Sequence, residues 1–120
     1  MPSEPVRLGD VLTVELPRHI PALREQEGVR PAVVVGPPKG TRCPVIVIVP
    51  LTTEKGPWTQ TNPRLYPGLP QGEGGLVRPS ISLIDQVRSI DVHRVLGYLG
   101  TLSSTEFERI QAGLRHLLEM

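Results

Sequence analysis

Eleven arginines, three histidines and one cysteine are the side chains of this 120-residue chain with the most obvious chemical potential. Lys39 and Lys55 are the only lysines. A guanidinium presents a planar fork that grips phosphate or carboxylate at two points, which an ammonium cannot do. His19 and His93 raise the idea of acid–base catalysis with one ring giving and one taking a proton. Nothing in their spacing supports that pairing, and His19 reads as a contact residue of a long loop. His116 falls off the apolar side of a helix and reads as exposed. Cys43 stands alone, so it makes no internal disulfide and no paired-cysteine zinc pattern; it reads as a small apolar filler. Ser103 and Glu106 resemble a hydroxyl–carboxylate pair, but their spacing is that of a helix capping box.

The elements that must position these groups are short, because 14 prolines and 12 glycines punctuate the chain. Val11–Leu16 is rich in β-branched residues and reads as a strand stopped by Pro17. Residues 17–29 form a long loop of the kind that often carries function. Pro31–Val35 is a second, continuously apolar strand, and residues 36–40 (GPPKG) are a turn cluster. Val45–Val49 is a third strand whose unbroken β-branched run predicts burial on both faces in mid-sheet. Pro50 at its end fits a bulge or a departure at an edge. Residues 53–79 show weak periodicity. Residues 80–91 alternate, with Ile81 and Leu83 on one side and Ser82 on the other, as one bent strand or two short ones. Val95–Leu99 is a last strand closed by Gly100. After Ser103, the spacing of Phe107, Ile110, Leu114, Leu117 and Leu118 predicts a helix with one apolar face. The architecture expected is mainly β: a small, mostly antiparallel barrel or half-open sheet with a C-terminal helix packed on it, in one domain spanning residues 1–120.

Composition excludes several functions. Thirteen basic residues meet 12 acidic ones, for a net charge of +1. Both halves are balanced, so bulk positive charge cannot drive nucleic-acid binding, although a local basic patch can. The longest apolar run, Val45–Val49, is far short of the roughly 18 residues of a membrane span. The first ten residues lack the basic start and apolar stretch of a secretory signal. With one cysteine, a reducing cytoplasm is the simplest compartment. The four aromatics, Trp58, Tyr66, Tyr98 and Phe107, are scattered along the chain, which argues against an aromatic platform for stacked bases.

Local blocks say more. Arg7–Asp10 (RLGD) leads into the first strand, Glu25–Val35 (EQEGVRPAVVV) follows the long loop, and Val49–Thr52 (VPLT) ends the third strand. Asp85–Asp91 (DQVRSID) comes next, then Leu96 with Gly97, and Gly100–Ser103 (GTLS) opens the helix. In this order and at these spacings the chain resembles the MazF/PemK-type toxins of bacterial toxin–antitoxin systems, from about residue 7 to residue 118. The GVRPAVVV and DQVRSID blocks are the most specific parts. The resemblance implies an SH3-like antiparallel β-barrel with a C-terminal helix (the MazF/CcdB-like toxin fold) and a homodimer. It also implies a metal-independent, cofactor-free endoribonuclease that cuts single-stranded RNA at short sequences. The products would be a 2′,3′-cyclic phosphate and a 5′-hydroxyl, and a cognate antitoxin with a flexible acidic tail would silence the enzyme.

Carried over residue by residue, the resemblance puts the essential arginine on Arg30 and the essential threonine on Thr52. Substrate-side positions fall on Glu25, Ser80, Gln86 and Arg88. The chemistry is compatible. Attack by a neighbouring 2′-hydroxyl needs a proton acceptor, a donor for the leaving 5′-oxygen, and charge stabilisation at the phosphoryl oxygens. Arg30 sits where a loop meets a strand, and its fork suits the last of these tasks. Its high pKa makes it a poor general base, which leaves Glu25 as a helper base. Plainer roles exist for each: a surface pair of Arg30 with Glu25 or Glu27, an ordinary strand-end Thr52, exposed strand residues Gln86 and Arg88. Pro37, Pro38, the loop around His19, and residues 53–79 with Trp58 and the glycines at 72, 74 and 75 depart from the family pattern. Two other readings keep the fold: a non-cleaving toxin that poisons DNA gyrase, against which Gly28–Pro31 argues, and a non-catalytic SH3-like binding module.

Overall fold

The computed structural model describes residues 6–17, 28–38 and 44–120. Among these, seven strands form one antiparallel sheet: β1 (Asp10–Leu16), β2 (Gly28–Gly36), β3 (Val45–Thr52), β4 (Gly68–Leu69), β5 (Ser80–Ser82), β6 (Arg88–Asp91) and β7 (Val95–Thr101). The helices are a single turn, α1 (Trp58–Thr61), and the C-terminal α2 (Ser104–Leu118). One-turn 3-10 helices cover Glu73–Gly75, Ile84–Gln86 and Val92–Arg94. Among the described residues no helix is long and apolar enough to cross a membrane.

Strand order is β4-β5-β3-β2-β1-β7, with β6 also on β3. β3 is therefore central, as its apolar run predicts. It shares one edge between two partners: β6 pairs Val45–Ile48, and β5 pairs Leu51 and Thr52. Pro50 lies at the changeover. It has no N–H to give, and its carbonyl accepts the N–H of Leu83 at 2.9 Å. The 80–91 region is thus two short strands, separated by the 3-10 turn at Ile84–Gln86. Among the described residues no pairing joins β7 back to β4, β5 or β6, so the sheet curls as a half-barrel with its pairing left open.

Strand alternation sorts the apolar side chains onto two faces. Leu12, Val14, Ala32, Val34, Ile46 and Ile48 form one core with Ile90, Val92 and Val95. Val11, Val33, Val49 and Leu51 form the other with Ile84, Leu102 and Ile110. The expectation that β3 is buried on both faces throughout is corrected here. Val45 and Val47 are 44% and 36% exposed, and burial is continuous only from Ile48 onward. Ser82, on the side opposite Ile81 and Leu83, is also fully buried, and its hydroxyl donates to the Pro67 carbonyl at 2.6 Å.

Helix α2 packs Phe107, Ile110, Leu114 and Leu117 onto the second core. Leu118, expected on that face, is 55% exposed; it lies one position beyond the stripe. Ser103 caps the helix by accepting the Glu106 N–H at 3.4 Å. The reciprocal half of the capping box is supplied differently. The Glu106 carboxylate pairs with Arg109 at 2.6 Å, and the Ser103 N–H is taken by Glu73. Gly113 lets the helix approach closely: a Cβ there would come within 2.5 Å of the Arg64 carbonyl and 3.0 Å of Ile84.

Gly75 is held at φ +77°, and a Cβ on it would meet the Leu99 carbonyl oxygen at 2.1 Å. Gly72 has φ +92° with nothing within 4 Å. Gly72→Ala should lose about 1–2 kcal/mol, the left-handed penalty alone. Gly75→Ala should lose distinctly more, because backbone must also move. Urea unfolding of the two variants checks this, and equal losses would show that the Gly75–Leu99 contact yields freely.

Candidate active site

The β2–β3 register pairs Val34 with Ile48, Val33 with Val49 and Ala32 with Pro50. Arg30 and Thr52 each lie two residues beyond the last pair, Ala32 and Pro50. Alternation puts both on the face that carries Ala32 and Ile48. The ladder itself stops at Ala32 and Pro50. Pro31 lacks the N–H that the next pair, with Leu51, would use, so the continuation has one donor fewer with which to zip. Arg30 is half-buried, and its partner on β1 is Val14. It lies inside β2, which begins at Gly28, rather than at a loop–strand junction.

Thr52 is 5% exposed. Its Oγ1 accepts the Glu54 N–H at 3.1 Å, which fixes the hydroxyl and leaves its proton to donate. Arg88 starts β6 opposite Ile48 and is half-buried. Ile48 and Thr52 share a face of β3, so Arg30, Thr52 and Arg88 do as well. Arg88 stands about 13 Å along the strand from Thr52, at some 3.3 Å per residue.

Beside Thr52 opens a groove of about 370 Å³, lined by Thr52, Glu54, Trp58, Tyr66, Leu83, Asp85 and Gln86. Trp58 and Tyr66 meet edge to face, with centroids 5.0 Å apart and planes at 82°. The Tyr66 hydroxyl donates to Asp85 Oδ2 at 2.6 Å. That bond, with burial and the Asp85 charge adding to it, pushes the phenol pKa up to about 12. Trp58 sits on α1, whose turn is tied by Thr59 Oγ1 donating to the Gly56 carbonyl at 2.8 Å.

Of the residues singled out in the sequence, the structure thus brings Thr52 and Gln86 to one groove and sets Arg30 and Arg88 on the adjoining sheet face. Ser80 is buried, its hydroxyl donates to the Arg78 carbonyl at 3.1 Å, and it does not line the groove. Glu25, with His19 and Cys43, lies outside the described residues. His93 is exposed and bonded to Asp91 at 2.6 Å, beside the far end of β3, where Val45 pairs with Asp91. Its N–H bonds hold the Asp91 carboxyl below the usual range. Among the described residues no group of three or more histidines, cysteines and carboxylates could hold a metal ion. Sequence reasoning missed Glu54, Tyr66 and Asp85 as groove residues and treated the aromatics as scattered. Two of the four aromatics in fact meet at the groove, and their shared place in the unpatterned 53–79 stretch was the available signal.

A family model of PemK-like, MazF-like toxins of type II toxin–antitoxin systems matches residues 7–118. No curated protein matches the chain. The crystal structure of MazF (Form-I) from Deinococcus radiodurans aligns with a TM-score of 0.74 at 20% identity, over 98% of this chain and 100% of that one. The MazE–MazF complex (Form-II) of the same organism gives 0.71 at 22%, over 98% and 99%. A mycobacterial endoribonuclease in complex with its cognate antitoxin gives 0.64 at 18%, over 94% of each chain. At these identities the likeness is one of fold.

The Tyr66–Asp85 bond has a measurable signature. Because the folded-state pKa lies above the ordinary 10, the bond's stabilisation is fully present below pH 10 and is lost between pH 10 and about 12. Ultraviolet titration in a Tyr98→Phe background should find the Tyr66 phenolate forming near 12. Asp85→Asn should return it toward 10. A midpoint that ignores Asp85→Asn would mean that the bond is not made in solution.

Proposed function

The chain belongs to the family of PemK-like, MazF-like toxins of type II toxin–antitoxin systems, and on that premise we propose that it is a metal-independent, sequence-selective endoribonuclease of single-stranded RNA, acting in the cytoplasm as one toxin domain. The observation that supports the reading is that strand alternation puts Arg30 and Thr52 on one sheet face, with Thr52 lining a groove. In the proposed reaction the 2′-oxygen of the substrate attacks the adjacent phosphorus. The P–O2′ bond forms as the P–O5′ bond breaks, giving a 2′,3′-cyclic phosphate and a 5′-hydroxyl, so no protein nucleophile is needed.

The roles follow from what each side chain can give. A guanidinium carries donors only and no acceptor, so the Arg30 fork stabilises charge on the non-bridging oxygens and does not take the 2′ proton. Thr52, whose hydroxyl is oriented by the Glu54 N–H, donates to the phosphate. Arg88 is far enough along β3 to meet a different phosphate, and Gln86 offers an amide to a base in the groove. Glu25 is assigned the helper-base role that its place before Arg30 in the chain allows. Ser80, buried and bonded locally, supports β5, which carries the partner of Thr52, rather than touching RNA.

Two partners complete the proposal. One is a cognate antitoxin, which the complexes known for proteins of this fold support; its flexible acidic tail would compete with RNA for the face bearing Arg30 and Arg88. A second copy of the chain forms a homodimer. Strand β7, where Leu96, Tyr98 and Leu99 are 58%, 54% and 41% exposed, offers it an apolar surface.

End-labelled single-stranded RNA incubated with the purified protein in EDTA tests the reading. Wild type should give discrete cuts ending in a cyclic phosphate. Thr52→Ala should be slower by about 10²–10³, the usual loss of one oriented donor. Arg30→Ala should give no cuts, and full activity in Arg30→Lys would remove the two-point grip. Added antitoxin should suppress the cuts, less so as salt rises. Intact RNA in every lane over a wide set of sequences would turn the reading to a gyrase poison or a binding module.

A further inference from the structure

We propose that the groove beside Thr52 is a nucleobase pocket that takes a base carrying an exocyclic amino group and rejects uracil. The proposal deepens the ribonuclease reading and rests on it for the pocket's place next to the scissile phosphate. The binding preference itself requires no cleavage.

The lining dictates what can enter. The groove's 370 Å³ lies in the range of about 300–1,000 Å³ typical of small-molecule sites, which suits one nucleoside. Two of its seven lining residues are aromatic. Trp58 is 39% exposed, so part of the indole faces solvent, where a splayed base can stack. Tyr66 braces the indole edge to face and is itself anchored through its hydroxyl to Asp85. The indole also folds back over Gly56, where a Cβ would come 2.5 Å from Nε1.

The polar groups select the base. Glu54 and Asp85 place two carboxylates in the lining, so a phosphate is repelled and the RNA backbone must run on the side of Arg30 and Arg88. Asp85 Oδ2 is occupied by Tyr66, which fixes the carboxylate and leaves Oδ1 as an acceptor. A carboxylate accepts from the amino group of cytosine, as in base-edge recognition generally, and from those of adenine and guanine. Uracil has no amino group, and its single N–H is flanked by two carbonyl oxygens that a carboxylate opposes.

Trp58 is the only tryptophan, so its fluorescence reports occupancy of the groove directly. The probes are 2′-O-methyl oligonucleotides of cytosine, adenine and uracil, which cannot form a cyclic phosphate. Oligo-C and oligo-A should quench Trp58 at concentrations at least about tenfold below oligo-U. Asp85→Asn should shrink that difference to under about threefold, because a carboxamide donates as well as accepts. Gly56→Ala, which displaces the indole, should weaken all three alike. Circular dichroism melting checks that both variants stay folded. Equal quenching by oligo-U, an undiminished preference in Asp85→Asn, or binding seen by anisotropy with no change at Trp58 would each overturn the pocket. So would no binding of any probe. A base preference seen at Trp58 while RNA remains uncut would leave the pocket standing and overturn only the ribonuclease reading.

Discussion

Two backbone positions without an N–H shape this molecule more than any side chain does. Pro50 interrupts β3, a strand with neighbours on both edges, where proline is normally excluded. It is tolerated because its position is the changeover between β6 and β5, and because its carbonyl remains satisfied by Leu83. Pro31 faces the same gap from β2. With that donor missing on β2, the ladder ends at Ala32 and Pro50. The chain beyond that point is directed but not zipped: Arg30 and Thr52 inherit a common face from the register without being closed against each other by further pairing. A fully hydrogen-bonded continuation would leave less room for a substrate between the strands.

Rigidity around that opening comes from the second core. Ile84 is completely buried against α2, and its N–H is held by the Leu65 carbonyl at 3.0 Å. The next two residues, Asp85 and Gln86, line the groove, so the packing of α2 is transmitted to them by a single 3-10 turn. Helix α2 is fixed over its first two turns. Glu73 takes the Ser103 N–H, and Arg109 donates to the Gly68 carbonyl at 2.7 Å. Glycine at position 113 costs helix propensity of about 1 kcal/mol relative to alanine, and the close approach to Ile84 and the Arg64 carbonyl is what that cost secures. The helix carries none of the proposed catalytic residues but braces the groove wall.

What was legible in the sequence follows from which signals are local. β-Branched runs gave β1, β2 and β3 to within a few residues, and a capping serine with an apolar stripe gave α2. The blocks around Arg30, Thr52 and Arg88 named candidate residues, but that their strand positions share one sheet face emerges only from the register. Other features needed contacts that no local pattern encodes. In the uniform run Val45–Val49 the alternation of faces is invisible, because exposed and buried positions carry the same residue types. Ser82 is inside, where its hydroxyl donates to the Pro67 carbonyl. Trp58 and Tyr66 meet across a stretch of prolines and polar residues with no periodicity, through a one-turn helix too short to leave a sequence signature. The ends of the groove were therefore readable and its aromatic wall was not.

The charge pattern explains how a chain with a net charge of only +1 can be organised for a polyanion. Net charge governs steering at distances beyond the screening length, about 8 Å at physiological salt, and says little about contacts inside it. Here the signs are sorted over a shorter span. Arg30 and Arg88 lie on one sheet face, and Glu54 and Asp85 lie in the adjoining groove, with Thr52 where the two meet. Such a division fixes the orientation of a nucleotide more than it raises overall affinity. A phosphate placed in the groove would face carboxylates, and a base laid on the arginine face would leave its amino edge without an acceptor. A uniformly basic cleft of the same size would bind RNA more tightly but would discriminate less between the two ends of each nucleotide. The near-neutral balance of the whole chain is therefore compatible with the proposed selective site, whose selectivity would reside in the boundary that Thr52 occupies.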